Sequence, residues 1–147
     1  MIPAPFEYQR VESVDHAIQV LSDEPEAKIL AGGHSLLPLM RVRLARPSFL
    51  VDISRIQDLK YVKEDGDQVA IGALTRHHDV ANSEVLHELS PIVAYAAGEI
   101  GDPQVRHVGT IGGSVAHADP ASDMPTGLLA LGAEMVVRGP DGNVRNV

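Results

Sequence analysis

The sequence predicts an α+β chain whose first third is an α/β unit. Three observations support this: a strand–turn–helix–strand pattern over residues 28–53, an Asp-Gly hairpin signal within 61–71, and helical apolar spacing after residue 75. Strands connected through a helix pair in parallel, whereas strands joined by a short turn pair antiparallel. The chain is therefore expected to contain both kinds of strand pairing.

The first helix and strand have clear boundaries. Ser13 is a suitable N-cap, apolar residues then recur at helical spacing, and Asp23-Glu24-Pro25 ends the run. Lys28–Ala31 follows as a short buried strand that leads directly into the turn Gly32-Gly33-His34-Ser35.

The second helix begins at about Leu36, because Pro38 is tolerated only within the first turn of a helix. Pro47 is expected to close this helix, and Phe49–Ile53 is the next apolar strand. The composition shifts near residues 55–59, which indicates a domain boundary there.

The second part of the chain starts with a hairpin. Glu64-Asp65-Gly66-Asp67 supplies the turn between strands at 61–63 and 68–71. Thr75 is a plausible cap for a helical stretch that continues, with one break, to Gly98.

Residues 101–125 lack periodicity. Long irregular segments are usually functional or disordered, and this one has too few charges for disorder. A short helix over 124–131, a strand over 133–138 and a turn at 139–143 are expected next. The sequence stops at Val147, a few residues into a returning strand, so we suspect truncation.

Composition limits the possible functions. The chain has 147 residues, a net charge of −8 and no cysteine, so iron–sulfur clusters and zinc-thiolate sites would have to lie on a partner. The acidic balance argues against nucleic acid, and no apolar run reaches the ~18 residues of a membrane span. No signal peptide is recognisable, so we expect a cytoplasmic protein. Basic residues concentrate between Lys28 and Lys63, around the first glycine pair.

Two segments share a layout: Ala31-Gly32-Gly33-His34-Ser35 and Thr110-Ile111-Gly112-Gly113-Ser114. Paired glycines allow positive φ and turn successive N–H groups to one side, and a following hydroxyl adds a donor, which suits a phosphate. The first pair also opens a helix, whose dipole favours the same anion. We expect the two segments to hold a diphosphate from both sides, although either pair alone is equally typical of a tight turn.

Other nucleotide-binding and catalytic motifs fit less well. No lysine follows either glycine pair, which excludes a P-loop. Asp52 ends a strand where the ribose-binding acid of a Rossmann unit would stand, but G-x-G-x-x-G is missing. The run from Gly112 to Ala116 lacks the last glycine of the serine-hydrolase motif.

Three residues in the aperiodic segment, His117, Asp119 and Asp123, have metal-ligand chemistry, but turn and helix-cap roles explain them better. Asp123 is also close enough in sequence to the second glycine pair to accept a hydrogen bond from a ligand hydroxyl. The adjacent His77 and His78 are interpreted as ordinary surface or packing residues. No catalytic residue and no metal ligand is assigned.

Residues 31–53, with the glycine turn, Pro47 and Asp52-Ile53, closely resemble the flavin-binding subunit of molybdenum-containing hydroxylases. Residues 109–125 match the other diagnostic segment of that family, and the similarity covers essentially the whole chain. Within the family the chain most resembles the medium subunit of carbon monoxide dehydrogenase, with the flavin segment of xanthine dehydrogenase more distant.

The resemblance implies FAD, held in a two-subdomain fold of the vanillyl-alcohol oxidase and p-cresol methylhydroxylase type. It implies a βα FAD-binding subdomain over residues 1–54 and an incomplete α+β FAD-binding subdomain over 55–147. Many relatives carry Asn, with a longer reach, at the position of Ser114. The residues implied to contact FAD are Ala31, Gly32, Gly33, His34 and Ser35, then Thr110, Ile111, Gly112, Gly113 and Ser114, and finally Asp123.

The resemblance also implies an electron-transfer role. In such complexes a molybdopterin subunit performs the hydroxylation, and an iron–sulfur subunit relays electrons to FAD and on to an acceptor. Relatives are nearly twice as long and have a further C-terminal domain, so this chain alone is expected to hold FAD weakly or not at all. A self-contained flavin oxidase and a non-catalytic module that has lost the flavin are the alternatives.

Overall fold

The N-terminal third is a parallel three-stranded sheet in the order β1-β3-β2. The computed structural model describes residues 2–147. The elements of this part are β1 (Glu7–Arg10), α1 (Val14–Asp23), β2 (Lys28–Leu30), α2 (Leu36–Arg41) and β3 (Phe49–Asp52). The predicted parallel pairing of β2 with β3 is confirmed, since Ile29 stands opposite Val51. β1 was not predicted, because Glu7–Arg10 is mostly polar and becomes a strand by pairing with β3.

The two helices of this part begin as predicted. Ser13 caps α1, and its Oγ accepts a hydrogen bond from the His16 amide at 3.1 Å. α2 begins at Leu36, but it ends at Arg41 and does not continue to Pro47. Arg43 adopts a left-handed backbone with φ of +61°, which turns the chain out of the helix.

A tight antiparallel hairpin starts the second part, in which β4 (Val62–Asp65) pairs with β5 (Gln68–Ile71). Asp65 stands opposite Gln68, so the connecting loop is shorter than the four residues expected from the sequence. Gly66 has a φ of +67°, the conformation that such a loop demands. A 3₁₀ turn at Gln57–Leu59 precedes the hairpin.

The helical stretch after the hairpin consists of α3 (His77–Ala81), α4 (Glu84–Leu89) and α5 (Pro91–Glu99), so it has two breaks instead of the expected one. Thr75 is not its cap, because Arg76 takes that position. The buried Thr75 hydroxyl instead donates to the Tyr61 carbonyl at 2.9 Å and accepts from the Tyr61 amide at 3.1 Å.

Two helices, α6 (Pro103–Arg106) and α7 (Ile111–His117), occupy the segment expected to be irregular, and the short helix predicted over 124–131 is present as α8 (Asp123–Ala130). The first two are too short to display helical periodicity, which explains the wrong prediction. Their caps are local, since the Val105 amide donates to Asp102 and the Gly113 amide to Thr110. The predicted C-terminal hairpin is present as β6 (Val136–Arg138) and β7 (Val144–Asn146).

Two apolar clusters form the core. One surrounds α5 and includes Leu86, Val93 and Met124. The other lies against the parallel sheet, and it includes both Val51 and Leu74, which comes from the second part of the chain. Within residues 2–147, no helix has the length and apolar character that a bilayer crossing requires.

Candidate functional site

The two glycine segments meet at one crevice. A Cβ on Gly32 would overlap the carbonyl oxygen of Val108 and lie 2.8 Å from the Cα of Gly109, so a side chain at this position is incompatible with the contact. The crevice is open to solvent and has a volume of about 80 Å³. Its lining residues are Ala31, Gly32, Ser54, Lys60, Leu74, Arg76, Val108 and Thr110.

The first segment presents a run of free amide donors. No group of the described chain accepts a hydrogen bond from the amides of residues 32–36. Gly33 has the predicted positive φ, at +74°, and α2 begins directly afterwards. Ser35 is the N-cap residue but makes no side-chain cap bond. Consecutive amides around a left-handed residue at a helix start form a concave anion-binding surface.

The second segment differs from the expectation. Gly112 and Gly113 have helical conformations within α7 and are not among the residues with positive φ. The Ile111 amide donates to the Thr75 carbonyl at 3.0 Å, and the Gly112 amide donates to the Ala73 carbonyl at 2.9 Å. The Gly113 amide donates to the Thr110 hydroxyl, so the paired glycines of the second segment offer no free amide to a ligand.

The glycines of the second segment have a packing reason. A Cβ on Gly112 would lie 2.7 Å from both the Cβ and the carbonyl oxygen of Ala73, so glycine permits α7 to begin against this stretch of chain. The Gly113 amide donates to the Thr110 hydroxyl at 3.2 Å. Close approach, rather than a left-handed turn, explains this glycine pair.

Side chains of the second segment nevertheless lie near one another. Thr110 is buried and lines the crevice. The Ser114 and Ser122 hydroxyls are 3.1 Å apart and connect α7 to the start of α8, where Asp123 is exposed. Asp119 accepts from the Ala121 amide at 2.9 Å, as a turn residue does. Within residues 2–147, the side chains of His117, Asp119 and Asp123 do not come together as a group that could hold a metal ion.

Asp52 ends β3, two residues before Ser54, which lines the crevice. Its carboxylate is 5% exposed and accepts hydrogen bonds from the Tyr8 hydroxyl, from Arg10 Nε at 3.1 Å and from the Ser54 amide at 2.8 Å. Burial alone would raise the pKa of Asp52, but the hydrogen bonds outweigh it and lower the pKa to about 2. Both carboxylate oxygens are engaged by protein donors, so Asp52 is not placed as the ribose acceptor of a Rossmann unit.

His77 packs against the entry to the second segment. The ring is 5% exposed, and a Cβ on Gly109 would lie 2.9 Å from its Cδ2. Within the described part of the chain its Nδ1 is buried and has no hydrogen-bond partner. Burial lowers the pKa of His77 to about 4, so the imidazole is neutral at pH 7. The interpretation of His77 as a packing residue agrees with this environment.

The sequence did not indicate Lys60 and Arg76 as site residues, although both line the crevice. Lys60 lies within the basic stretch 28–63, which was a weak signal for it. Arg76 has no sequence signal, because it reaches the crevice through a backbone bridge to Thr110.

Residues 4–147 match the family described as the FAD binding domain in molybdopterin dehydrogenase. The chain belongs to this family. Its sequence is 46% identical over 143 residues to the carbon monoxide dehydrogenase medium chain of Hydrogenophaga pseudoflava, covering 97% of this chain and 50% of that protein. The glyceraldehyde dehydrogenase medium chain of Sulfolobus acidocaldarius is 42% identical over 143 residues, covering 97% of this chain and 51% of that protein.

Solved structures show the same relationship for this FAD binding domain. Carbon monoxide dehydrogenase from Hydrogenophaga pseudoflava, in a form that lacks the Mo-pyranopterin moiety, superposes with a TM-score of 0.96 at 47% identity. The match covers 100% of this chain and 51% of that one. The chain therefore spans about half the length of the relatives it matches, and its mixture of helices and strands is that of an α+β FAD-binding domain.

Proposed function

We propose that this chain is the FAD-binding part of the electron-transfer subunit of a molybdenum-containing hydroxylase complex. Its family supports FAD, and its relatives are medium chains of dehydrogenases. In the proposed complex, a molybdopterin subunit oxidises the substrate and an iron–sulfur subunit relays electrons through FAD to an acceptor. When bound, FAD supplies exchange of either one or two electrons. The chain contains no cysteine, which agrees with iron–sulfur clusters on a partner.

The observation that carries the proposal is the run of free amides at residues 32–36. A diphosphate has several oxygens that need donors, and these amides lie at a helix start beside a crevice that the second segment also lines. The crevice is small for a dinucleotide, so it suits the diphosphate and not the ring systems. The residues present fit the central part of FAD.

The proposed contacts follow from this arrangement. Ala31, Gly32, Gly33, His34 and Ser35 surround the diphosphate and donate to it mainly through their amides. Thr110 and Ser114 offer hydroxyls, while Ile111, Gly112 and Gly113 give the opposite wall its shape. Asp123, exposed at the start of α8, accepts from a hydroxyl of the cofactor.

The proposal also includes a division of the chain into two FAD-binding subdomains. We assign the two-subdomain architecture of the vanillyl-alcohol oxidase type, with residues 1–54 and 55–147 as the two FAD-binding parts. The parallel sheet of the first part and the antiparallel hairpins and helices of the second support this division. A cytoplasmic location stays a prediction from the sequence.

A titration of the purified chain with FAD tests the proposal. FAD is added to millimolar concentration, since the sequence predicts weak retention, and riboflavin, which lacks the diphosphate, is titrated in parallel. We expect saturable binding of FAD that is at least about tenfold tighter than that of riboflavin, because charge-assisted hydrogen bonds are the strong ones. Equal affinity for the two, or no binding of FAD, would contradict the proposal.

A matched pair of glycine variants locates the site. Gly33 and Gly66 both have a left-handed backbone, at φ of +74° and +67°, so alanine introduces comparable backbone strain at each. Gly33 belongs to the first segment, whereas Gly66 lies in the hairpin loop with open space around it. We expect Gly33→Ala to weaken FAD binding and Gly66→Ala to leave it unchanged. Equal FAD affinity of both variants would remove the first segment from the site, and a flavin-free module would then be the better description.

A further inference from the structure

Two cationic side chains line the crevice without a counter-ion. Lys60 and Arg76 both contribute to its lining, and none of the other lining residues is a carboxylate. The ion pairs of residues 2–147 join Arg10 to Asp52 and Arg138 to Asp15, so neither Lys60 nor Arg76 is neutralised by a protein acid.

Both cations are carried by well-anchored backbone. Arg76 forms an antiparallel bridge with Thr110, in which the His77 amide donates to the Gly109 carbonyl at 3.0 Å. Lys60 follows Leu59, whose carbonyl accepts from the Leu74 amide at 2.8 Å. The next residue, Tyr61, is held by the Thr75 hydroxyl, which accepts from the Tyr61 amide and donates to the Tyr61 carbonyl. Lys60 and Arg76 therefore extend from backbone segments that belong to one hydrogen-bonded framework.

The two cations differ in exposure. Lys60 is partly buried, whereas Arg76 is exposed to solvent. Because no carboxylate of residues 2–147 pairs with either side chain, an anion in the crevice would supply both with a partner of opposite charge.

We propose that Lys60 and Arg76 form the cationic wall of a diphosphate site and face the ligand that the amides of residues 32–36 bind. This inference rests on the proposed function and adds two side chains to it. Two cations and a run of amides supply more donors than one carboxylate accepts, so the site favours an anion with several oxygens. Lys60 and Arg76 act as binding residues and take no part in electron transfer.

Inorganic pyrophosphate is the probe for this site, because it carries the diphosphate without the flavin. The ¹⁵N-labelled chain is titrated with pyrophosphate, and the amide signals of residues 32–36 are followed by NMR. We expect saturable shifts of these signals. Lys60→Gln and Arg76→Gln should each weaken pyrophosphate binding by roughly three- to tenfold, and rising salt should weaken binding to the wild type more than to either variant.

Control variants remove the same charge outside the crevice. Lys63→Gln removes a cation whose Nζ lies 5.1 Å from the centre of the Tyr61 ring, and Arg55→Gln removes an exposed arginine. We expect both controls to bind pyrophosphate like the wild type. The charge-retaining variants Lys60→Arg and Arg76→Lys should keep most of the affinity, which a merely structural role would not explain.

Two results would overturn the inference: pyrophosphate that fails to shift the amides of residues 32–36 saturably, or Lys60→Gln and Arg76→Gln variants that bind it as tightly as the two controls do. Each spectrum also reports whether the variant is folded, and if Arg76→Gln is not, Lys60→Gln and Arg76→Lys decide the question. An FAD titration separates the two proposals. FAD affinity that is unchanged in both glutamine variants contradicts the cationic wall alone, whereas a chain that binds pyrophosphate but not FAD contradicts the proposed function.

Discussion

Gly32 packs closely against the backbone of Val108, although the two residues are far apart in the sequence. Close backbone approach of this kind requires glycine, since any Cβ would occupy the position of the Val108 carbonyl. The contact brings the end of the parallel sheet next to the α6–α7 region and thereby creates the crevice.

The first prediction concerns this contact. Gly32→Ala should destabilise the chain by about 1–3 kcal/mol, because backbone atoms cannot move aside as the end of a side chain can. Urea unfolding measures the effect, and NMR shifts at residues 108–110 report the displacement. Gly98→Ala is the control, since Gly98 lies in α5 with open space around it, and alanine there should stabilise the chain by up to about 1 kcal/mol. A Gly32→Ala variant as stable as the wild type would show that the two segments are not in contact.

The second prediction concerns the cap of α7. Thr110→Val keeps the shape of the side chain but removes the hydroxyl that accepts from the Gly113 amide, so the free energy of unfolding should fall by about 1 kcal/mol. Thr126→Val, on the exposed surface of α8, is the matched control and should have a smaller effect. Equal losses in the two variants would argue that Thr110 is not a cap.

The third prediction concerns Asp52. Asp52→Asn removes a buried carboxylate that accepts from Tyr8, Arg10 and Ser54, and we expect a loss of about 2–3 kcal/mol at pH 7. Because the pKa of Asp52 is lowered from 3.8 to about 2, its stabilising contribution is complete above pH 3.8 and is lost as the pH falls through 2. The stability difference between wild type and variant should therefore shrink over that range. Glu64→Gln, exposed in β4, is the control for loss of one negative charge.

The fourth prediction concerns the pH dependence that His77 introduces. Its pKa is lowered from 6.5 to about 4, so between these values the unfolded chain binds a proton that the folded chain does not. The free energy of unfolding should therefore decrease as the pH falls from 6.5 towards 4. His77→Gln should flatten this part of the profile, whereas His117→Gln, exposed at the end of α7, should not. A wild-type profile that is flat over this interval would contradict the neutral, buried imidazole.

Elements with a local cause could be predicted from the sequence. Ser13 caps α1 through its own neighbour His16, and Gly66 makes the hairpin loop through its own backbone conformation. β1 could not be predicted in this way, because Glu7–Arg10 is held by β3, far along the chain. The early end of α2 likewise depends on the left-handed Arg43, a conformation for which the sequence gives no signal.

The same distinction applies to the candidate site: features with a local cause could be predicted, whereas features that depend on tertiary contacts could not. The pair Gly32-Gly33 predicted a turn with positive φ, and this is confirmed for Gly33. The same prediction was wrong for Gly112. Glycine is required there because the backbone lies close to Ala73, and no sequence motif indicates that contact. Lys60 and Arg76 join the crevice only through tertiary hydrogen bonds.

The crevice between the Gly32 and Thr110 segments has no counterpart in the unfolded chain, because its two walls come from distant parts of the sequence. Any molecule that binds there thus binds the native state alone, and occupancy and folding form a single linked equilibrium. The melting temperature of the chain should then rise with the logarithm of ligand concentration once the ligand exceeds its dissociation constant, so heat resistance itself becomes a readout of whether both walls are engaged.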